Sequence, residues 1–520
     1  MASLSRAAAR GFGGAAPKSR EPPRPERRDS LPARAARLCP LAALVCAVAA
    51  GAAVRLWRLT LPGLTSDEAF SWRLAGYPAR EIVRRTAEDV HSPLFYLLLK
   101  AWLAVTGGSP VALRALSVLL GLLAVAVVYL LVREAGGGTG GALAGAFLIA
   151  LHPLHVQQGR NARMYALGVL LAALTSLLLL RALREPPDAA RAWRGWLAYG
   201  VAAALFVYAH YYALFTLAAQ AVGALALARA RRAGAVRGFA LSAAVALALF
   251  APWLPSFLAQ ARRVQEEYWI PPVTGEALVA ALLRWATGLP GGALAWLALF
   301  AWAAAVVWAA LRTKGAAIFF LAQAIVPWLL ALALSALGNR PLFLERFTVF
   351  AHVGLCALAG VAWPALPRVL RLGAGGVIGA ATLLGLAAFL RELPDEPPAV
   401  AQVARYLRRQ QQPGDVVVVD SPRALNKLLF YGQQEGLGEL SLRALPGVAG
   451  GGHYTHHASL QPGEAIEQVE HAAQGPRLWR ASERPHPVPP PPPGWTMGFA
   501  RVFEGGEGSR YLLVRYDRGG

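Results

Sequence analysis

The chain has 520 residues, 56% hydrophobic and 15% charged; soluble globular proteins carry roughly 25% charged residues, so a soluble fold is excluded. A net charge of +22 would suit a nucleic-acid binder, but the basic residues sit at the ends of apolar runs with no base-stacking platform, and nucleic acid is excluded as a partner. Cys39, Cys46 and Cys356 all lie inside apolar runs; they are expected to be small packing residues, implying neither disulfides nor zinc.

Residues 1–38 hold Arg20, Arg24, Arg27, Arg28, Arg34 and Arg37 and are expected to form a disordered basic tail in the cytoplasm. The apolar run that follows is long and is succeeded by others, so it is read as a retained first transmembrane helix rather than a cleaved signal. About twenty helical residues span roughly 30 Å of hydrocarbon. On that measure the sequence predicts spans near 39–57, 111–132, 141–156, 164–183, 195–209, 211–228, 238–256, 291–311, 316–336, 347–366 and 373–390. The break between the fifth and sixth is set by Tyr208, His210, Tyr211 and Tyr212, read as interfacial aromatics at a tight turn. No transmembrane repeat is visible.

The run 93–105 is short and contains Lys100, although Ser92-Pro93 reads as a helix start with Ser as N-cap. The basic loops decide its status. If it does not span, Arg133, Arg181/Arg184/Arg191/Arg194, Arg229/Arg231/Arg232/Arg237, Arg312/Lys314 and Arg368/Arg371 all fall in the cytoplasm with the N-terminus. If it spans, every one of them flips outside, against the positive-inside rule. The expected membrane domain, 39–391, therefore has about eleven helices. Segments 58–110, 157–163, 257–290, 337–346 and everything after about 392 then share the non-cytoplasmic face.

Beyond Pro394 the pattern changes. An amphipathic helix over 400–411, a turn at Pro413-Gly414, a buried parallel strand Val416–Val419, a helix near 422–434 and a closing strand Tyr511–Tyr516 predict a small α/β domain over 392–520. Pro489 to Pro493 is an extended loop within it.

The most informative polar cluster is Ser66-Asp67-Glu68. A helix N-terminus accounts for it, with Ser66 as cap and two carboxylates at the positive end of the helix dipole. A general base beside a membrane-borne substrate accounts for it too, and the two are compatible. His453, His456 and His457 have the letters of a metal site but lie in a Gly-rich stretch without an acidic or cysteine partner, so no metal is expected.

These residues, with others, carry a resemblance. Arg55-Leu-Trp-Arg-Leu through Asp67-Glu68-Ala69-Phe70, Asp89-Val90-His91-Ser92-Pro93-Leu94-Phe95-Tyr96-Leu97, Ala112-Leu113-Arg114, Ala162-Arg163-Met164-Tyr165-Ala166-Leu167 and Glu345-Arg346-Phe347 resemble, in order, blocks of family 39 glycosyltransferases. These are the protein O-mannosyltransferase-like, aminoarabinose-transferase-like and Rgt-like membrane enzymes of the GT-C fold. Ala404-Arg405-Tyr406-Leu407 with Pro413-Gly414-Asp415-Val416-Val417 resembles the outer domain of many bacterial members. The resemblance implies a polytopic α-helical GT-C-like membrane domain with a small extracytoplasmic α/β domain, in a bacterial inner membrane. It implies a polyprenyl-phosphate sugar donor, a lipid, glycan or protein acceptor, and no cofactor beyond the lipid-linked substrate. No Gly-rich nucleotide fingerprint follows a strand, as a lipid-phosphate donor allows.

By the same resemblance Asp67 is the candidate base, with Glu68 orienting it or contacting substrate, and transfer is inverting. Arg163 and Arg346 are candidates to neutralise the leaving phosphate, or else interfacial anchors. His91 and Tyr165 are assigned to the pocket or to packing around it. Asn161 stands where members commonly carry an acid, and an amide cannot replace it as a base. A secondary transporter or lipid flippase, and a non-catalytic membrane protein of this type, are the alternative readings.

Overall fold

A computed structural model describes residues 31–185, 192–227, 232–266, 270–313, 315–338, 340–437, 441–445, 457–472, 475–483 and 487–519. The tail expected over 1–38 lies almost wholly outside them, as do His453 and His456. Contacts divide the chain into Met1–Ala42 and Ala43–Gly520. Of the first unit, the described part is the opening of helix α1 (Leu31–Leu56), which has Pro40 inside it.

The membrane portion continues with α2 (Ser66–Ala75), α3 (Ala79–Glu88), α4 (Leu94–Thr106), α5 (Pro110–Glu134), α6 (Gly138–Leu151), α7 (Pro153–Gly159) and α8 (Tyr165–Arg184). It proceeds through α9 (Ala192–Ala209), α10 (Ala213–Leu227), α11 (Arg232–Phe250), α12 (Leu254–Glu266), α13 (Gly275–Thr287), α14 (Ala293–Thr313), α15 (Gly315–Leu337), α16 (Val349–Ala362) and α17 (Arg368–Arg391). Every expected apolar run falls on a helix. Among the described residues, seven helices are long and apolar enough to cross a membrane, or eight if the bent pair α6–α7 is one span. Pro40–Leu56, α4 and α10 are apolar but shorter, so length and composition alone give fewer spans than the expected eleven.

Three local expectations change. The span predicted over 141–156 breaks at His152, and α7 leaves α6 at 57°, because Pro153 has no N–H for the i−4 ladder and biases the residue before it to extended backbone. Ser92 does not cap α4; its hydroxyl donates to the Tyr208 carbonyl at 2.5 Å. Nor does Ser66 cap α2. Thr65 does, in a reciprocal capping box with Glu68. Within the segments 58–110 and 257–290, expected outside, α3 and α13 fall short of a span, whereas most of α12 continues the candidate span Gly234–Val264, so the apolar stretch runs past the expected end at 256.

Close backbone approach sets the helix packing. Gly137, Gly141 and Gly145 lie one turn apart along the start of α6 and face α16. A Cβ on Gly141 would meet the Gly360 carbonyl at 2.0 Å, and one on Gly145 the Cys356 carbonyl at 3.1 Å. Small residues of this kind let membrane helices touch where lipid supplies no hydrophobic drive. Between α8, α9, α10 and α15 a polar knot does similar work: Ser176 with Gln323 (2.6 Å), Gln220 with Thr175 (2.8 Å), and Tyr199 with Gln220 (3.1 Å).

The C-terminal region holds α18 (Ala399–Gln410), α19 (Pro422–Glu435) and strands β1 (Val416–Val419), β2 (Ser441–Ala444), β3 (Arg477–Ser482), β4 (Trp495–Glu504) and β5 (Arg510–Arg518). The sheet order is β2-β1-β3-β5-β4. β1 is parallel to both neighbours and buried throughout, whereas β5, foreseen from its sequence, is antiparallel to β3 and β4. The region is seated on α2 and α3: Tyr431 Oη accepts from Leu64 N (2.9 Å), Tyr77 Oη donates to Ser459 O (2.7 Å), Arg85 donates to Ala458 O and Leu460 O, and Arg73 pairs with Glu464.

Candidate active site

The site assembles on the first turn of α2. The capping box leaves Asp67 and Glu68 on adjacent positions facing different surroundings. Glu68 is buried, 1% exposed, and bidentate to Arg114 at 2.7 and 2.8 Å. It also accepts from Ala162 N and Thr65 N, both at 3.0 Å. The remaining donors of Arg114 reach the carbonyls of Leu59, Pro62 and Gly63, so all five are used. Burial raises the Glu68 pKa, but the Arg114 charge, its hydrogen bonds and the two amides outweigh burial and leave it below its ordinary value. With both oxygens occupied, Glu68 ties α2 to α5 and to the 160–163 loop. It has no lone pair left for a substrate.

Asp67 differs. Its side chain is 33% exposed and one oxygen lies 3.6 Å from Arg346 Nη1. Arg346 is itself 36% exposed, on a 3₁₀ turn at Glu345–Thr348 leading into α16. That turn is held by Arg284 of α13, bidentate to Glu345 at 2.7 Å on both arms, and by Trp285 Nε1 on the Thr348 carbonyl.

Arg163 lies beneath, 2% exposed. It donates to the Asp67 carbonyl (3.3 Å), Ser71 Oγ (3.4 Å), Tyr96 Oη (3.0 Å) and His91 Nε2 (2.8 Å). An arginine only donates, so His91 Nε2 is unprotonated and its proton sits on Nδ1, directed at Asp89 Oδ2 2.6 Å away. The chain Asp89–His91–Arg163 thus orients the guanidinium. Burial opposes the Arg163 charge, yet Tyr96, Asp67, Tyr165 and Asp89 together raise its pKa.

Tyr165 is buried, with its ring near Phe347 and His210. Burial, followed by the fields of His91, Arg163 and Arg346, pushes His210 down to about 3, so it is neutral at physiological pH. Asn161 contributes its carbonyl to Arg163 N (2.7 Å); its buried Oδ1 has no hydrogen-bond partner among the described residues. Arg160 donates to the Val54, Arg55, Trp57 and Arg58 carbonyls, closing the negative end of α1.

The structure therefore gathers Asp67, His91, Arg163, Tyr165 and Arg346 and sets Glu68 behind them as a buried strut. Sequence reading missed Arg114, Tyr96, Asp89 and Ser71 as parts of the site. Arg114, Tyr96 and Asp89 lie inside the blocks that carry the resemblance, but their pairing is not legible from spacing.

With this geometry in view, the fold defines the class: it is that of the GT-C membrane glycosyltransferases. Residues 90–255 match the family described as dolichyl-phosphate-mannose-protein mannosyltransferase. The crystal structure of ArnT from Cupriavidus metallidurans in the apo state aligns with a TM-score of 0.62 at 14% identity, covering 92% of this chain and 98% of that one. ArnT from the same organism bound to undecaprenyl phosphate aligns at 0.57 and 15% identity, covering 93% and 98%. The oligosaccharyltransferase AglB from Archaeoglobus fulgidus, in complex with an inhibitory peptide and a dolichol-phosphate, aligns at 0.51 and 13% identity, covering 76% of this chain and 64% of that one. No curated protein matches. The chain thus has the fold of the GT-C membrane glycosyltransferases, and its residues 90–255 are similar to the mannosyltransferase family.

Proposed function

We propose that the protein transfers a sugar from a polyprenyl-phosphate carrier to an acceptor hydroxyl on the outer face of a bacterial inner membrane, with its N-terminus in the cytoplasm and the C-terminal domain outside. The observation that carries this reading is the division of labour in α2: Asp67 offers a part-exposed carboxylate facing Arg346, with Arg163 on its backbone carbonyl, while its neighbour is sealed against Arg114.

Asp67 takes the proton of the acceptor hydroxyl as the acceptor oxygen bonds to the anomeric carbon. The bond from that carbon to the phosphate oxygen breaks on the opposite side, which inverts the centre. Polyprenyl phosphate leaves with the bonding electrons, and Arg346, with the buried charge of Arg163 behind it, stabilises the negative charge that develops. The acceptor is a lipid, glycan or protein hydroxyl.

Asp67→Asn is expected to insert and purify normally and to lose roughly 10²–10⁴-fold in transfer, the usual worth of a general base. The check is mass spectrometry of envelope glycans and lipids from cells carrying each variant. Wild-type product levels in Asp67→Asn would sink the assignment. Substrate accumulation in proteoliposomes with no glycosidic product would favour a transporter instead.

A further inference from the structure

Behind the site, where α7 meets α16, three histidines and a cysteine converge on the membrane interior. His155 Nε2 lies 2.9 Å from His352 Nδ1, and Cys356 Sγ lies 3.3 Å from the same nitrogen. One ligand atom from each of His155, His352 and Cys356 falls within 4.8 Å of the others, and all three residues are buried. The ring of His152 sits 4.2 Å, centroid to centroid, from that of His352. These residues come from the break at His152-Pro153 and from one face of α16, His352 and Cys356 being one turn apart.

Hydrogen bonding does not satisfy the cluster. His352 Nδ1 has two neighbours, but a neutral ring nitrogen either donates once or accepts along one lone pair. The Nε2 atoms of His152 and His352, on residues 1% exposed, have no partner among the described residues. Leaving such buried polar atoms unpaired is unfavourable. One soft metal ion would serve all three facing donor atoms at once. Metal–nitrogen and metal–sulfur bonds of roughly 2.0 and 2.3 Å place such atoms about 3.3–3.6 Å apart; the two contacts of His352 Nδ1 are within a few tenths of an ångström of that, and the third pair closes from within 4.8 Å.

We propose that His155, His352 and Cys356 form a buried site for a soft transition-metal ion, with His152 packed beside it. Imidazole and thiolate donors select Cu⁺ or Zn²⁺ over Mg²⁺, Ca²⁺ or Mn²⁺. Charge separates the two. Arg55, fully buried, donates to Ala150 O (2.7 Å) and Ile149 O (3.2 Å), a turn before His152. A Cu⁺–thiolate pair adds no net charge beside it, whereas Zn²⁺ with one thiolate adds one, so copper is favoured. The ion would clamp the bent α6–α7 pair to α16. It therefore fixes the distance between the 160–163 loop and Arg346, whose turn lies on the order of 10 Å further along α16. The site does not depend on the transfer reaction proposed above.

The test uses the full chain in nanodiscs with Cys39 and Cys46 changed to serine. Metal content is measured by mass spectrometry as isolated, and again after stripping and reloading anaerobically with Cu⁺ or with Zn²⁺ in competition with a coloured chelator. Co²⁺ loading should give a thiolate charge-transfer band in the near ultraviolet. Expected are about one tightly held ion per chain, Cu⁺ held more tightly than Zn²⁺, and a band lost in Cys356→Ser with affinity at least about tenfold weaker. A wild-type chain that is metal-free and silent with all three ions overturns the proposal, and so does a band that persists in Cys356→Ser. Tighter Zn²⁺ than Cu⁺ binding would uphold the site and overturn the choice of copper.

Discussion

A carboxylate that removes a proton must be reachable by substrate, and Asp67, 33% exposed, differs in that respect from its buried neighbour Glu68. Glu68→Gln leaves Arg114 charged, buried and half-partnered, which typically costs about 3–5 kcal/mol. The expected outcome is a markedly lower melting temperature in detergent. Its sign with pH is fixed: the folded-state pKa lies below the unfolded value, so the Glu68 contribution is complete above the ordinary carboxylate range and fades as pH falls through that lowered value. Thermal unfolding of wild type and Glu68→Gln across acid pH should therefore converge. Arg346→Lys keeps a charge near Asp67 but loses the planar fork, and should lower turnover more than stability. Arg163→Lys should lower both, because its donors hold Tyr96, His91 and the first turn of α2 together.

At the scale of elements, α6 packs on α16 with close backbone approach. Gly141→Leu would drive a side chain into the Gly360 backbone and is expected to cost about 1–3 kcal/mol or more, seen as a lower melting temperature. Gly373→Ala in α17, where an added Cβ meets nothing within 4 Å, is the matched control and should be neutral or slightly stabilising. In the C-terminal domain Asp415 immediately precedes β1, accepting from Arg477 (2.6 Å) and Trp479 Nε1 (2.9 Å). Burial raises its pKa, but these partners leave it below the usual range. Asp415→Asn should loosen the domain above that range and matter little once pH has fallen through the lowered value.

For the whole molecule, the sidedness inferred from basic loops is the claim that joins the parts. A cysteine introduced as Arg340→Cys, in a background lacking the native cysteines, should react with an impermeant reagent on intact cells. Labelling only after lysis would invert the topology and separate the proposed site from the outer face. The seating of the C-terminal region on α2 and α3, through Tyr77, Arg85 and Tyr431, gives that region a part in holding the site.

Hydropathy and charge are properties of short stretches, and they sufficed for the helices of the membrane domain, the α/β character of the tail and the blocks around Asp67, Arg163 and Arg346. The capping box shows the limit: Thr65 and Ser66 are both plausible caps, and only the Glu68 carboxylate returning to Thr65 N separates them. The same holds for β2, β3 and β4, too short or too polar to stand out before pairing with β1 and β5. Contacts between distant segments were decided by the tertiary structure alone. Arg114 meets Glu68 across 46 positions and His155 meets His352 across 197, because burial forces polar groups to find whichever partners packing brings near. No local pattern encodes that choice.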